Sequence, residues 1–116
     1  MEKIKVFISQ PMSGLTNEQI IEDRNKATEL LKEFYKGKYE VEIIDNFQMD
    51  VEKKQLEYLG YDIKCMADAD QVFFIGDYIN HRGCLVEEFV AKKYNYSCLY
   101  ESEVRDYFDI RKKYAK

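Results

Sequence analysis

A chain of 116 residues makes one domain, long enough for a single core but not for two. Its formal net charge of −4 argues against a partner held by its phosphate backbone, so no nucleic acid is expected. No apolar run approaches the roughly 18 residues that span a bilayer, and Met1-Glu2-Lys3-Ile4 runs straight into a strand rather than a signal sequence, so no membrane partner is expected. Cys65, Cys84 and Cys98 are too scattered for a disulfide frame or a zinc site, which points to reduced thiols and a cytoplasmic location.

Lys3 to Ile8 reads as a first strand, followed by the turn-rich loop Ser9-Gln10-Pro11-Met12-Ser13-Gly14. Thr16 with Gln19 forms a capping-box signature. The helix it opens is expected to run to about Lys36, with Ile20, Ala27, Leu31 and Phe34 on one face and Gly37 as its C-cap. Tyr39 to Ile44 is a second strand, and a second helix is expected from about Glu52 to Ala67, weakened by Gly60. Asp70 to Ile75 is a third strand and Cys84 to Tyr94 a third helix. Tyr96 to Tyr100 makes a short fourth strand, and an amphipathic helix follows from Ser102. Alternating strands and helices imply an α/β fold. The natural form is a flavodoxin-like three-layer sandwich, with a parallel sheet of four to five strands in the order 2-1-3-4. Its ligand site falls where the loops after strands one and three meet, at Ser9–Gly14 and Gly76–Gly83.

Several side chains near that edge can carry chemistry. Glu87 follows Gly83 by one turn, where a helix N-terminus stabilises negative charge. Spacing alone leaves it open between a nucleophile and an ordinary dipole-complementing acid. Glu88 points about a third of a turn away. Asp62 lies mid-helix among Ile63, Cys65, Met66 and Ala67, a poor place for Asp, and is open between a solvated group and a catalytic one. Two carboxylates across a pocket can break a glycosidic bond with retention, one attacking the sugar carbon while the other handles the leaving-group proton. Ser9, Ser13 and Gly14 could cradle a ligand, yet neither GxxxxGK[ST] nor GxGxxG is present. Arg24 falls on the apolar stripe of the first helix and needs a partner: a ligand phosphate, a buried acid, a neighbouring subunit or solvent. Arg82 is placed to meet an anion, and His81 reads as a loop residue.

Taken together, these segments resemble the nucleoside 2-deoxyribosyltransferase family, most of all its small, phage-associated branch. The likeness runs from Ile4 to about Leu99 and rests on Phe7-Ile8-Ser9-Gln10-Pro11-Met12-Ser13-Gly14, Met66-Ala67-Asp68-Ala69-Asp70 and Arg82-Gly83-Cys84-Leu85-Val86-Glu87 with Ala91. It implies that Glu87, four residues after Gly83 and four before Ala91, is the nucleophile. It places the family's base-assisting aspartate on Asp62. The implied chemistry is attack on C1′ of a 2′-deoxynucleoside or its 5′-monophosphate, giving a deoxyribosyl ester that another base or water resolves, with no metal or organic cofactor. Ser9, Gln10, Pro11, Met12, Ser13, Gly14, Asp77, His81, Arg82 and Gly83 are then the substrate-binding set. Two positions depart from the family pattern: Phe7 stands for a tyrosine that supports the glutamate, and His81 for a second acid. Those departures favour the alternative of a catalytically silent nucleotide-binding module; a plain interaction domain is a third reading. The resemblance also implies a homo-oligomer, for which Tyr94, Tyr96, Tyr100 and Tyr107 would suit the interface.

Overall fold

Strand and helix alternate throughout the computed structural model, which describes residues 1–48 and 53–114. In chain order these are β1 (Lys3–Ser9), α1 (Asn17–Phe34), β2 (Glu40–Ile43), α2 (Gln55–Met66), β3 (Gln71–Phe74), α3 (Arg82–Lys93), β4 (Ser97–Tyr100) and α4 (Glu101–Tyr114), with a 3-10 turn at Tyr78–Asn80 before α3. The four strands form one all-parallel sheet in the order β2-β1-β3-β4, the flavodoxin-like arrangement the sequence predicts.

Side chains of a strand alternate between the two sheet faces, and each face builds its own core. Val6, Ile8, Phe73 and Ile75 pack with Ala27, Leu31 and Tyr35 of α1 and Val104 of α4. Phe7, Val72 and Phe74 pack on the opposite face with Met66 beside α2's end and Ala91 of α3. The three fully buried phenylalanines dominate the sheet, each worth roughly 1.5–3 kcal/mol against exposure. Gln71, buried in β3, is satisfied on both sides: Tyr35 Oη donates to its Oε1 at 2.7 Å, and its Nε2 donates to Ser97 Oγ at 3.1 Å. At the same end of the strand, Lys5 of β1 and Asp70, just before β3, bond reciprocally, Lys5 N–H to Asp70 Oδ2 and Asp70 N–H to Lys5 O.

The expected capping box of α1 is present, with Thr16 and Gln19 exchanging bonds. Most element ends shift by a residue or two from the sequence reading, and three glycines depart from their expected roles. Helix α1 stops at Phe34 with Tyr35 as C-cap, and Gly37 (φ +81°) sits in the turn beyond it. Gly60 leaves α2 unbroken; Glu52, where the helix was expected to begin, lies outside the described residues. Helix α3 begins at Arg82, so Gly83 is its second residue rather than its opener.

The tyrosines expected at a subunit interface are mostly used within the chain. Tyr100 stacks on Phe74 with centroids 5.3 Å apart, Tyr96 Oη donates to Ala67 O at 2.8 Å, and Tyr107 meets Phe34 edge-on. Tyr94 stays exposed. Among the described residues, no helix is long and apolar enough to cross a membrane.

Candidate active site

At the carboxyl ends of β1 and β3 the chain leaves in opposite directions, toward α1 on one face and α3 on the other. A crevice opens at such a point. Its floor is set by Pro11, whose ring lies 3.6 Å from where a side chain on Gly76 would begin; Gly76 has φ +61°, a left-handed conformation that glycine adopts without strain. Beside it lies a cavity of about 530 Å³. Pro11, Met12, Ile20, Phe47, Tyr58 and Leu59 give it apolar walls; Asn46, Asp62, His81, Arg82, Cys84 and Glu87 are among its polar or ionisable groups.

Glu87 and Asp62 both line this cavity, close enough that each shifts the other's hold on its proton. Helix α3 presses Ala91 onto the sheet, so Glu87, one turn earlier on the same stripe, is carried inward to the strand ends. Only 5% of its surface is exposed. Ser9 Oγ, at the end of β1, donates to Glu87 Oε1 at 2.6 Å.

Burial dominates the electrostatics. Loss of water pushes Glu87 up to about 8, the Ser9 hydroxyl works against this, and the Asp62 charge reinforces it. Burial also raises Asp62, but Asn46, Glu87 and Arg24 all oppose the shift by favouring its ionised form. Glu87 therefore holds its proton at neutral pH, while the groups around Asp62 favour its ionised form. The sequence reading, in which the helix N-terminus keeps Glu87 ionised, is corrected here. Glu87 is the sixth residue of α3, beyond the first turn where the dipole acts. Burial also raises the Cys84 thiol, to about 11, so it stays protonated.

Glu88 is removed from this chemistry. It accepts from Tyr100 Oη at 2.6 Å and pairs with Lys92 at 3.4 Å, away from the cavity.

Of the loop residues singled out in the sequence, Gln10, Pro11, Met12, Ser13, His81, Arg82 and Gly83 line the cavity. Three do not. Ser9 is turned under Glu87 and is 1% exposed, Gly14 lies outside, and Asp77 faces a smaller neighbouring cavity of about 420 Å³ while accepting from Asn80 at 2.7 Å. Phe7 is fully buried in the core on the α2–α3 face, and Ser9, two residues along on the same face, contacts the glutamate instead. His81 lies at the α3 N-cap without a side-chain capping bond, and Arg82 Nη2 donates to Gln55 Oε1 at 3.0 Å across the cavity mouth. Arg24 finds amide and carbonyl partners, described below. The sequence reading missed Asn46, whose Nδ2 donates to Asp62 Oδ1 at 3.0 Å. Its position just past the end of β2 is the signal that could have found it. Among the described residues, no group of three or more His, Cys, Asp or Glu side chains is placed to hold a metal ion.

Comparison with known proteins adds a family and no activity. A family model described as Domain of unknown function (DUF4406) matches residues 4–100, and the chain belongs to that family. No curated protein and no solved structure matches it.

Proposed function

We propose that the protein cleaves or transfers the N-glycosidic bond of 2′-deoxynucleosides or their 5′-monophosphates through a covalent ester on Glu87. The observation that carries this reading is the placing of two carboxyls, Glu87 and Asp62, in one cavity, close enough that each shifts the other's hold on its proton. Inverting glycosidases keep their carboxyls about 6.5–9.5 Å apart to admit a water, whereas retaining ones stand closer and use one carboxylate as nucleophile. Two carboxyls that act on each other this directly fit the retaining arrangement. The cavity supports the same reading: flat apolar surfaces from Pro11, Phe47 and Tyr58 suit a base, and Ser13 with Arg82 suits a 5′-phosphate.

One proton serves the first half-reaction. It moves from Glu87 to Asp62 within the cavity, which frees the Glu87 carboxylate. Glu87 attacks C1′ as the C1′–N bond breaks, and Asp62 gives the proton to the departing base. An acceptor base or a water then attacks C1′ from the opposite side, Asp62 takes the proton it sheds, and the ester opens to regenerate Glu87. Ser9 stabilises the carboxylate that attacks and is later released.

A second reading, a catalytically silent nucleotide-binding module, draws support from the same elevated pKa, since a glutamate protonated at neutral pH is a poor nucleophile. The two separate by experiment. Deoxynucleosides and deoxynucleoside monophosphates are incubated with the protein, with and without a free acceptor base, and released base is followed by chromatography. Release that vanishes in Glu87→Ala, with a deoxyribosyl adduct on Glu87 by mass spectrometry, is the expected result. Equal release from Glu87→Ala overturns the proposed nucleophile; nucleotide-dependent thermal stabilisation without release establishes the binding module.

A further inference from the structure

Arg24 is a half-buried cation in the middle of α1, and it does not line the cavity. Its guanidinium is nevertheless consumed on the side facing the site. Nη1 donates to Gln10 Oε1 at 3.1 Å, and Nη2 donates to Ile44 O at 2.6 Å and to Asn46 Oδ1 at 2.9 Å. Gln10 is pinned at its other end, where Nε2 donates to Ile20 O at 3.0 Å. Asn46 in turn donates to Asp62 Oδ1 at 3.0 Å, and Asp62 shares the cavity with Glu87, which accepts from Ser9. A chain of side chains thus runs from α1 to Asp62 at the site.

The direction of that chain is set at its head. A guanidinium can only donate. Asn46 must therefore turn its oxygen to Arg24, which leaves its amide N–H to face Asp62. An amide N–H facing a carboxyl favours the ionised form.

We propose that Arg24, acting through Asn46, is a positioning residue for the carboxyl pair: it fixes Asp62 as the charge-bearing member, so that Asp62 passes the proton of Glu87 to the leaving base without retaining it. This rests on the glycosidic reading above. The charged and titratable groups around Asp62 are Arg24 from α1, Asp45 after β2, Tyr61 on its own helix, and Cys84 and Glu87 from α3. Arg24 is the cation of this set that favours ionised Asp62, and Arg82 and His81 line the same cavity from the start of α3. Negative charge returns to Asp62 as the base departs, and a fixed donor with a cation behind it holds that charge.

The test is a carbon-13 NMR titration of the aspartate and glutamate carboxyls, read together with the pH dependence of kcat. In Arg24→Gln the lower of the pair's two macroscopic steps rises by roughly one pH unit or more, the range in which a nearby opposite charge acts. The acidic limb of kcat moves with it, while KM changes less than about threefold. Arg24→Lys, which keeps an all-donor head, returns part of the shift. Unmoved carboxyl steps in folded Arg24→Gln overturn the proposal and leave Arg24 as a structural strut. Should Arg24→Gln fail to fold, Asn46→Ala applies the same criterion with the cation left in place. A shifted carboxyl step in a protein that releases no base sinks the glycosidic reading and leaves the Arg24 proposal standing.

Discussion

The two faces of the sheet are built from the same strands and do different work. On the α1–α4 face, Val6 and Ile8 continue an apolar row to the end of β1, and Leu31, Phe73 and Val104 close over it. On the α2–α3 face the row begins alike at Phe7 and then changes: the next inward position is Ser9, covered by Glu87 rather than by a hydrocarbon. One face is core from end to end. The other gives up its last layer to a buried carboxyl pair. Polar groups held out of water cost stability, and the α2–α3 face carries that cost beside the cavity.

That contrast can be broken most sharply at Glu87. Glu87→Gln is expected to lower turnover at least about 10⁴-fold, the scale on which a covalent nucleophile acts. The same change should stabilise the fold in a pH-dependent way. Glu87 binds its proton more tightly folded, at about 8, than at its ordinary value of 4.5. Its contribution to stability is therefore complete below about 4.5 and is lost as pH rises toward 8, by about 1.4 kcal/mol for each pH unit crossed. Thermal unfolding should show Glu87→Gln well above the wild type at alkaline pH, with the gap closing in mild acid. A gap that ignores pH would mean the carboxyl pair is not desolvated.

A smaller effect is expected on the opposite face. Leu31→Ala opens a cavity at a fully buried position and should cost about 2–5 kcal/mol, measured by urea unfolding, with kcat per folded molecule held within about twofold. A large fall in kcat would join the two faces that the structure separates. The smallest effect is expected from Glu88→Gln, adjacent to the nucleophile yet tied to Tyr100 and Lys92. Its stability should change by less than about 1 kcal/mol and its turnover by less than about twofold, as is usual for a half-exposed polar contact.

The strand order and the crevice were legible because they follow from local chemistry: runs such as Val72-Phe73-Phe74, the Thr16–Gln19 cap, and the alternation of strand and helix. Glu87 is open on spacing alone and is singled out by the family resemblance. The structure adds that Ala91 and Glu87 share a helix stripe, so that what places one on the sheet places the other beside it. The protonation of Glu87 was not legible. The sequence shows a helix start, worth about 0.3–1 kcal/mol to an anion and only within the first turn. Burial of the carboxyl outweighs that, and burial is decided by α2, β1 and the loop after β2 together. Asn46 escaped for the same reason, since a single amide past a strand end acquires its meaning from Arg24 and Asp62, which lie far from it in the chain. An aromatic-rich tail reads alike whether its rings meet another chain or, as with Tyr100 and Phe74, their own sheet.

Gly83 offers a way to measure the site. It sits in the first turn of α3 at ordinary negative φ, and a methyl group there would touch no protein atom, so the backbone does not require a glycine. It nevertheless lines the cavity mouth, one turn from Glu87. What the missing side chain preserves is therefore room for a visitor. Position 83 is a ruler built into the helix: side chains of graded size placed there would gauge the width of whatever enters, while the fold that holds the ruler stays as it is.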